Sequence, residues 1–472
     1  MGFIQEKIYP HLPVLLQNAA ISAFGFIWHK RRFGGIFKLE YKGFKQRENY
    51  TTEQWQQYQT EQFRKILLHA FNTVPYYHTS FSHAGFTREK LQQFDLKDIQ
   101  QLPKLEKDML RQKGKTELIS SVKEKGGQFY SSSGSTGTPT SILYSHPMHQ
   151  RLSALYEARV RNFAGVNMEE PRGMIGGRRV IPSGVSNPPF YRYNYVEKQL
   201  YLSAYHISKT TAANYVEGLK KHGTKYMVGY AMSNYLLARF IKEEGLQAPQ
   251  MKAVLTSSEK LTTSMRDTLS EVYQCKVYDA WSGVEWCGLI SENEHGQLLA
   301  SPDSAYLEII KPNGEYALPG EAGELVCTGF LNYDQPLIRY KIGDVVRLAP
   351  DQRTRCGRAF PVIEEIIGRS EDVVVGTDGR EMVRFHGIFV NLPNVIKGQV
   401  VQENFSSFTI NVATKGLTND ERRSIKQRME SQLGTIDLII NEMDDIPVGA
   451  NGKFKAVISK LQTERSIENQ DG

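Results

Sequence analysis

Cysteine is scarce in this chain of 472 residues: there are four cysteines, and no two of them form a Cys-x-x-Cys pair. This excludes a disulfide-stapled secreted scaffold and favours a reducing compartment, so we expect a cytoplasmic protein. Charge of one sign is also in short supply, because 58 basic residues oppose 51 acidic residues and leave a net charge of +7. Such a mild excess excludes nucleic acid as the expected partner.

Long hydrophobic runs are missing as well. The most apolar stretch, residues 12–28, is interrupted by Gln17 and Asn18 and is followed by a basic run at 29–32. A spanning helix needs about 20 mostly apolar residues, and a signal peptide carries its basic residues before the apolar run. Two interpretations remain for residues 12–32. They are a helix docked on the protein surface, within a docked region of residues 1–45, or peripheral membrane contact through an apolar face and its basic flank.

What the chain does have is enough apolar sequence for a large core, with 40% hydrophobic residues. From residue 50 onwards, helical and strand patterns alternate, which predicts an α/β fold. Helices are predicted from Trp55 to a stop at Pro75, from Leu152 to Phe163, and from Tyr235 to a stop at Gly245. Strands are predicted at 253–255 and 307–310, and the segment with a helix at 421–433 and a strand at 436–440 is long enough for a small separate domain.

Residues 130–140 form a segment of small and hydroxyl-bearing residues that suits a polyphosphate. Small residues let backbone N–H groups approach phosphate oxygens, and hydroxyls add further donors. The alternating residues on either side predict a turn between two strands, although a solvated Ser/Gly linker is the other interpretation. The segment lacks the Gly-Lys-Ser/Thr ending of a Walker loop, which argues against a kinase or GTPase. The predicted phosphate contacts are Ser131, Ser132, Ser133, Gly134, Ser135, Thr136 and Gly137.

Further short motifs follow in a fixed order. They lie at residues 256–261 and 280–285, each after a predicted strand, and then at 337–344, 368–372 and 451–453. Each motif alone is typical of an ordinary turn. Their order resembles that of the adenylate-forming superfamily, which includes acyl-CoA synthetases, luciferases and peptide-synthetase adenylation domains. The resemblance is closer to the phenylacetate–CoA ligase branch, including relatives encoded with capsular-polysaccharide enzymes, and it runs from about residue 10 to 460.

The resemblance implies a nucleotide- and acyl-binding domain of mixed sheets and helices at residues 1–368 and a small mobile α+β domain at 369–472. It implies that Ser258, Glu259, Trp281, Asp344 and Arg369 contact ATP, with Trp281 beside adenine and Asp344 on the ribose hydroxyls. Glu285 corresponds to the residue that holds Mg²⁺.

The resemblance also implies separate roles for two residues of the C-terminal domain. Lys453 corresponds to a lysine that neutralises charge between the α-phosphate and the substrate carboxylate, and Asn451 and Gly452 give its loop freedom to move. A solvated surface lysine is the alternative, and Lys455 is the position most easily confused with it. Glu371 corresponds to the hinge about which that domain rotates.

Some positions depart from the family pattern. Thr140 stands where many members have lysine, and Val284 replaces a threonine that donates to phosphate. Several branch members bind a structural zinc, but Thr354 replaces one of the cysteines here. Cys287, His295 and Cys356 would make only an incomplete ligand set.

The resemblance implies an AMP-forming carboxylate ligase that uses ATP and Mg²⁺, with CoA as the favoured acceptor of the acyl group. By resemblance, His206, Tyr230 and Gly283 border the small carboxylic acid, and the aromatic segment 187–206 either lines this pocket or packs in the core. Two alternatives stay open: transfer to an amine or hydroxyl in polysaccharide or secondary-metabolite biosynthesis, and an inactive nucleotide-binding scaffold.

Overall fold

The structure is a computed structural model that describes residues 8–131, 140–176, 178, 180–182, 185, 187–204, 206–369, 374–375, 381–382, 386–389, 392–447 and 454–461. The chain forms two compact units. The first unit contains Met1–Ile342 and Val346–Glu365, and the second contains Gly343–Val345 and Ile366–Gly472.

Helices of the first unit surround its sheet. A 3₁₀ turn at Tyr9–His11 comes first, another lies at Leu96–Gln101, and a π-helical turn at Glu157–Arg161 extends α7. The α-helices are α1 (Val14–Phe33), α2 (Phe37–Arg47), α3 (Thr52–Thr73), α4 (Pro75–His83), α5 (Arg88–Gln92), α6 (Lys107–Lys113), α7 (His146–Tyr156), α8 (Ala212–Lys221), α9 (Ala231–Glu243) and α10 (Thr263–Tyr273).

Helix α3 shows how local sequence sets these elements. Thr51 and Gln54 form a reciprocal capping box at its N-terminus, which satisfies backbone N–H groups that have no partner inside the helix. Its inner face buries Trp55, Phe63, Ile66, Leu67 and Ala70. The helix ends before Pro75, which begins α4. The predicted helix from Trp55 to a stop at Pro75 is therefore confirmed.

A 12-stranded mixed sheet forms the frame, and a separate two-stranded sheet pairs β1 (Gln128–Ser131) with β2 (Ser141–Tyr144). The large sheet contains β3 (Arg172–Gly176), β4 (Tyr191–Asn194), β5 (Gln199–Ser203), β6 (Tyr226–Tyr230), β7 (Ala253–Ser257), β8 (Lys276–Trp281), β9 (Ile290–Glu292), β10 (Leu298–Ala300), β11 (Ala305–Ile310), β12 (Ala322–Gly329), β13 (Tyr340–Leu348) and β14 (Val362–Arg369). The order of these strands across the large sheet is β11-β12-β13-β14-β10-β9-β8-β7-β6-β3-β5-β4.

The strands β5, β3, β6, β7 and β8 run parallel to one another. Helices α8, α9 and α10 follow β5, β6 and β7 in the chain, which is the β–α–β arrangement that parallel pairing requires. Their apolar faces share one core, with Leu219, Leu237, Val254, Leu269 and Tyr273 all buried. The predicted α/β fold class is confirmed, and so are the helix ending before Gly245 and the strands at 253–255 and 307–310.

The N-terminal helix α1 packs on the first unit through polar side chains. Arg31 is buried and donates from Nε to His149 Nδ1 at 2.8 Å and from Nη2 to the carbonyl oxygens of Gly126 and Tyr144, each at 2.7 Å. Burial and the neighbouring Arg31 lower the pKa of His149 to about 3, so its imidazole is a neutral acceptor. Within the described part of the chain, no helix is long and apolar enough to cross a membrane.

The second unit has its own helices and strands, which are β15 (Val374–Val375), β16 (Glu381–Met382), α11 (His386–Phe389), β17 (Val395–Gln402), β18 (Ser407–Thr414), α12 (Asn419–Leu433), β19 (Asp437–Met443) and β20 (Val457–Ser459). Four of the strands form a sheet in the order β19-β18-β17-β20, and β15 pairs with β16. The core of this unit contains Val400, Ile410, Ile425, Met429 and Leu433. The predicted late helix and strand are confirmed as α12 and β19.

Candidate active site

Predicted site residues collect at one edge of the large sheet, where the parallel strands β5, β6, β7 and β8 end. Tyr230 is the last residue of β6 and pairs with Ser257, the last residue of β7, which in turn pairs with Ala280 of β8. Ser258 and Glu259 follow β7, and Gly283 and Glu285 follow β8. In open α/β sheets, ligands bind outside the carboxyl ends of the strands. These motifs, separate in the sequence, therefore share one edge of the first unit.

The residues on either side of the hydroxyl-rich segment form the paired strands β1 and β2, as their alternating pattern predicted. Ser131 pairs with Ser141, and their Oγ atoms lie 3.0 Å apart. Ser132, Ser133, Gly134, Ser135, Thr136 and Gly137 lie outside the described residues. Their phosphate contacts therefore stay a prediction.

Glu285 is the most strongly positioned of the predicted residues. It is buried, and its Oε1 accepts from Thr140 Oγ1 at 3.1 Å and from the Tyr340 hydroxyl at 3.4 Å. A Cβ added to Gly283 would lie 2.5 Å from Glu285 Oε2, so the glycine makes room for the folded-back carboxylate. The Thr140 hydroxyl therefore helps to orient this carboxylate.

Val284 is held by the hairpin of β1 and β2. The Tyr144 hydroxyl at the end of β2 donates to the Val284 carbonyl oxygen, which joins this strand to the loop that carries Glu285. Burial, with the Glu285 carboxylate adding to it, raises the pKa of Tyr144 well above its usual range, so the phenol stays protonated and can donate.

The loop after β7 is fixed by its contact with a helix terminus. Glu259 Oε2 accepts from the Met232 backbone N–H at 2.9 Å, in the first turn of α9. Ser258 adopts φ 71°, which is uncommon outside glycine and turns the chain sharply away from the strand. Glu259 therefore has a structural role beside its predicted nucleotide role, since a carboxylate suits the N–H groups of a helix start.

Trp281 and His206 lie at the ends of two other strands. Trp281 ends β8, and its ring lies against Gly288, where an added Cβ would be 3.3 Å from Cζ3. His206 Nδ1 lies 2.7 Å from Ser203 Oγ at the end of β5, and its ring stacks on Phe190 with centroids 5.1 Å apart. Burial lowers the pKa of His206, which favours a neutral imidazole.

Asp344 and Arg369 are placed by their strands. Asp344 is buried in β13, directly after Gly343, which has φ 82°. It lies in the short stretch that belongs to the second unit. Arg369 is the last residue of β14. Glu371 and Lys453 lie outside the described residues, so their roles stay predictions.

Sequence reasoning missed Tyr340, Tyr144 and Asp279. Tyr340 lies inside the motif 337–344, but nothing in the motif indicated that its hydroxyl reaches Glu285. Asp279 is half-buried in β8, accepts from Thr256 Oγ1 at 3.1 Å, and has its pKa raised, chiefly by desolvation, to about 6. An acidic residue between Tyr278 and Ala280 in a strand is the signal that could have identified this acid.

The donor set fits a magnesium ion bound together with a polyphosphate. Mg²⁺ prefers oxygen ligands and is commonly held by one or two carboxylates plus substrate phosphates. Glu285 offers Oε2, which is directed towards Gly283 while Oε1 is engaged by hydroxyl donors. One buried carboxylate, in contact with Thr140 beside β2, is therefore adequate for such an ion.

A zinc site is not supported by the described part of the chain. There, no group of three or more His, Cys, Asp or Glu side chains is arranged to hold a metal ion. The four cysteines are free thiols; Cys287 is hydrogen-bonded to Cys327, and Cys356 Sγ accepts from Asn293 Nδ2 at 3.4 Å.

A cavity of about 700 Å³ lies elsewhere on the first unit, lined by residues that include Arg266, Glu292 and Thr354. None of the predicted site residues lines it. Its position, away from the carboxyl ends of the parallel strands, argues against its being the reaction centre.

Comparison with known proteins agrees with this architecture. The C-terminal domain family of CapK matches residues 375–460. Protein CapK of Staphylococcus aureus is 24% identical over 469 residues, which are 96% of this chain and 99% of CapK. Phenylacetate-coenzyme A ligase of Pseudomonas putida is 24% identical over 419 residues, or 84% of this chain and 88% of that ligase.

Solved structures show the same fold. The 2-hydroxyisobutyryl-CoA ligase in its postadenylation state, in complex with R3-HIB-AMP, superposes with a TM-score of 0.69 at 18% identity. That match covers 90% of this chain and 93% of the ligase. These comparisons confirm the resemblance drawn from the ordered motifs. The chain is similar to CapK over nearly its whole length and to phenylacetate-coenzyme A ligase over most of it, which supports the adenylate-forming superfamily and its phenylacetate–CoA ligase branch.

Proposed function

We propose that this protein is an ATP-dependent, AMP-forming carboxylate ligase whose acyl acceptor is CoA. The observation that carries the proposal is the buried Glu285, oriented by Thr140 and Tyr340 next to the hydroxyl-rich hairpin. Its relatives include several phenylacetate-coenzyme A ligases, at 23–24% identity over 67–84% of this chain. The proposal places the reaction in the cytoplasm, where ATP and CoA are available.

The first half-reaction joins the acid to AMP. A carboxylate oxygen attacks the α-phosphorus of ATP, the bond from that phosphorus to the bridging oxygen breaks, and pyrophosphate leaves. Glu285 would hold Mg²⁺, which offsets charge on the phosphate oxygens during transfer. The loop 131–137 would bind the phosphates through backbone N–H groups and hydroxyls.

Other residues would orient the nucleotide. Trp281 offers an aromatic face to adenine, Asp344 accepts from the ribose hydroxyls, and Arg369 supports the ribose and phosphate. Ser258 and Glu259 border the nucleotide from the loop after β7. His206, Tyr230 and Gly283 would border the organic acid, with the neutral His206 able to donate or accept a hydrogen bond.

The second half-reaction needs the C-terminal domain to turn about Glu371. Lys453 would neutralise charge at the α-phosphate and carboxylate during adenylation and then leave the site. The acceptor thiol attacks the acyl carbonyl carbon, AMP departs with the oxygen that bridged it to the acyl group, and the thiol proton passes to solvent.

An amine or hydroxyl acceptor is the second candidate. The match to CapK spans 96% of this chain, whereas matches to the phenylacetate-coenzyme A ligases span 67–84%. The domain at 375–460 also matches the CapK family. Because the acceptor would meet this domain after rotation, that likeness favours testing acceptors other than CoA.

The test is a screen of pyrophosphate release with aromatic, fatty, amino and uronic acids, first without CoA and then with it. We expect one acid class to release pyrophosphate with ATP, and CoA to accelerate steady turnover. Lys453→Ala should abolish release, while the matched variant Lys455→Ala should retain it. Release with an acid but no response to CoA would assign the acceptor to the amine or hydroxyl class.

Two results would contradict the proposal. Equal activity of the wild type and Lys453→Ala would show that Lys453 does not have its assigned role in adenylation. Nucleotide binding by the folded wild type without pyrophosphate release for any acid class would favour an inactive scaffold.

A further inference from the structure

Helix α1 has the reverse of the usual polarity for a surface helix, because it turns polar side chains to the protein. Gln17 donates from Nε2 to the carbonyl oxygens of Tyr9 at 3.1 Å and Leu12 at 2.9 Å, and its Oε1 accepts from Arg192. Asn18 Oδ1 accepts from the Tyr193 backbone N–H at 3.0 Å. Together with the buried Arg31, these contacts make the inner face a hydrogen-bonded face.

Gly25 shows how closely this polar face approaches the sheet. A Cβ added to Gly25 would lie 2.3 Å from Nδ2 of Asn194, at the end of β4. About two turns further on, the Arg32 guanidinium pairs with the buried Glu197 carboxylate. The orientation of the helix is therefore fixed by specific contacts along its length.

The opposite face of α1 is apolar and exposed, although apolar stripes on surface helices normally face a core. Leu16, Phe26 and Ile27 are 50%, 52% and 59% exposed. The helical spacing places these residues on one side, with small alanines between them. We call this set the outer stripe; it comprises Leu16, Ala19, Ala20, Ala23, Phe26 and Ile27.

The tip of the hairpin between β4 and β5 extends this apolar surface. Tyr195 is 59% exposed and Val196 is 41% exposed. The Tyr195 backbone N–H donates to Ser22 Oγ at 3.0 Å, which attaches the hairpin tip to α1. Tyrosine favours the boundary between apolar and aqueous surroundings, since its ring is apolar and its hydroxyl is polar.

The exposed charged side chains of residues 8–39 are of one sign, because the nearby Glu197 carboxylate is buried and paired with Arg32. Residues 8–39 contain no Asp or Glu, but they contain Lys30, Arg31, Arg32 and Lys38. Lys30 and Lys38 are exposed, and Lys30 Nζ lies 4.7 Å from the centroid of the Phe26 ring at the end of the stripe. An apolar helical face with lysine at its edge matches the layered chemistry of a bilayer surface, with acyl chains below and anionic headgroups above.

We propose that the outer stripe docks this protein on a membrane surface that contains anionic lipids, with α1 lying in the plane of the interface. This goes beyond the proposed ligase activity and does not depend on it. The helix lies flat because its inner face is hydrogen-bonded to the first unit, and no helix in the described ranges could cross a membrane. Phe26 and Ile27 enter the apolar layer, while Lys30 and Lys38 contact the headgroups.

A second copy of the chain is the occupant that most needs to be distinguished. A two-fold contact through the outer stripes would bring the same residues from both copies. Residues 8–39 would then supply no carboxylate to either copy's lysines. The charge pattern therefore favours an anionic lipid surface over a second copy of the chain as the partner of the outer stripe.

The test is sedimentation of the full chain with vesicles of phosphatidylcholine alone or mixed with phosphatidylglycerol, at low and physiological salt. Phe26→Gln with Ile27→Gln removes two stripe residues and keeps good helix formers in α1. Leu318→Gln with Phe405→Gln is the matched control, because these residues are 63% and 48% exposed elsewhere. Thermal unfolding and pyrophosphate release without vesicles check the fold and the activity of each variant.

We expect the wild type and the matched control to sediment with the anionic vesicles, and salt to weaken this binding. The stripe variant should bind at least about tenfold more weakly, because two apolar side chains no longer enter the bilayer. Its fold and pyrophosphate release should stay unchanged, which separates this proposal from the proposed function.

Three outcomes would overturn the proposal. The wild type would stay in the supernatant with both vesicles, or the stripe variant would sediment as strongly as the wild type. The third is a wild-type dimer, detected by light scattering, that the stripe variant converts to a monomer; this would assign the outer stripe to a second copy of the chain.

Discussion

The strand-end site and helix α1 arrange polarity in opposite ways. At the ends of β6, β7 and β8, apolar strands stay in the core and polar residues such as Glu285 follow them into loops. In α1, the polar residues Gln17 and Arg31 are buried and the apolar Phe26 and Ile27 are exposed. The first arrangement follows the usual rule for a ligand site on a parallel sheet, and the second reverses the usual rule for a surface helix.

The contrast shows that a hydrophobic pattern predicts the type of secondary structure but not which face of the element packs against the protein. Specific hydrogen-bonding partners decide which face is buried. For α1 these are the polar groups of β4 and α7, and for Glu285 they are Thr140 and Tyr340.

The two regions meet in a cluster of aromatic rings. The Trp28 and His149 rings have centroids 5.1 Å apart, and the His149 and Tyr144 rings have centroids 5.0 Å apart. Tyr144 in turn donates to Val284, next to Glu285. Substitutions can therefore show whether α1 supports stability while Glu285 supports chemistry.

The largest expected change is in stability, on replacing Arg31. Arg31→Met leaves two carbonyl oxygens and His149 Nδ1 without their buried donor, so the free energy of unfolding should fall by about 3–4 kcal/mol. Lys30→Met, at the exposed neighbour, should change it by less than about 0.5 kcal/mol. Urea unfolding followed by tryptophan fluorescence reports on the first unit, because all four tryptophans lie there. Equal effects of the two variants would show that the inner face of α1 does not hold the helix.

The next change is in activity, on replacing Glu285. Glu285→Gln keeps the shape and the acceptor for Thr140 and Tyr340 but removes the charge, so pyrophosphate release should fall by about a hundredfold or more. Stability should change little, in contrast to Arg31→Met. Turnover is measured across magnesium concentrations. A Glu285→Gln variant with wild-type turnover would end the metal assignment.

A third prediction concerns the pH dependence of stability. One titratable group in each region contributes to the free energy of unfolding, and the two contributions change with pH in opposite directions. Burial raises the pKa of Asp279 from 3.8 to about 6, so its protonated form stabilises the fold below about pH 4 and this contribution is lost as the pH rises through 6. Asp279→Asn should therefore raise the free energy of unfolding at pH 8 by up to about 3 kcal/mol. Urea unfolding between pH 4 and 8 measures the effect.

His149, beside α1, supplies the contrast. Its pKa is lowered from 6.5 to about 3, so its contribution to stability is complete above pH 6.5 and is lost as the pH falls towards 3. Asp279→Asn should leave this acid-side loss of stability in place. A variant that instead abolished the acid-side loss would show that Asp279, not His149, causes it.

The strands that carry the candidate site residues could be predicted from the sequence, because short motifs in a fixed order mark the ends of these strands. The hairpin that carries Ser131 and the strand that precedes Glu285 were found in this way. The contact from Thr140 to Glu285 joins residues 145 positions apart, and no local pattern specifies such a contact. The capping role of Glu259 was missed for the same reason, since its partner Met232 is 27 positions away.

The direction of α1 could not be predicted either. Residues 12–28 indicated an apolar helix, but only the positions of Arg192, Tyr193 and His149 decide that Gln17, Asn18 and Arg31 face inwards. These partners lie more than 100 positions along the chain.

The smallest change should come from Thr140. Thr140→Val removes the hydroxyl that donates to Glu285 Oε1 at 3.1 Å while the Tyr340 contact stays. Pyrophosphate release should fall by about tenfold or less, as expected for one hydrogen bond. Ser141→Ala is the neighbouring control at a hydroxyl that contacts Ser131 instead. A larger loss in Ser141→Ala than in Thr140→Val would show that the hairpin, not the orientation of Glu285, limits the reaction.

The most direct test of the central claim is the fate of the carboxylate oxygen. When the acid is labelled with ¹⁸O in its carboxylate and turned over with ATP and the acceptor, the oxygen that attacks the α-phosphorus should leave in AMP. We predict one labelled oxygen in AMP and none in pyrophosphate, detected by mass spectrometry or by the phosphorus NMR shift. Label in inorganic phosphate with formation of ADP would mean attack at the γ-phosphorus, and would contradict an AMP-forming ligase.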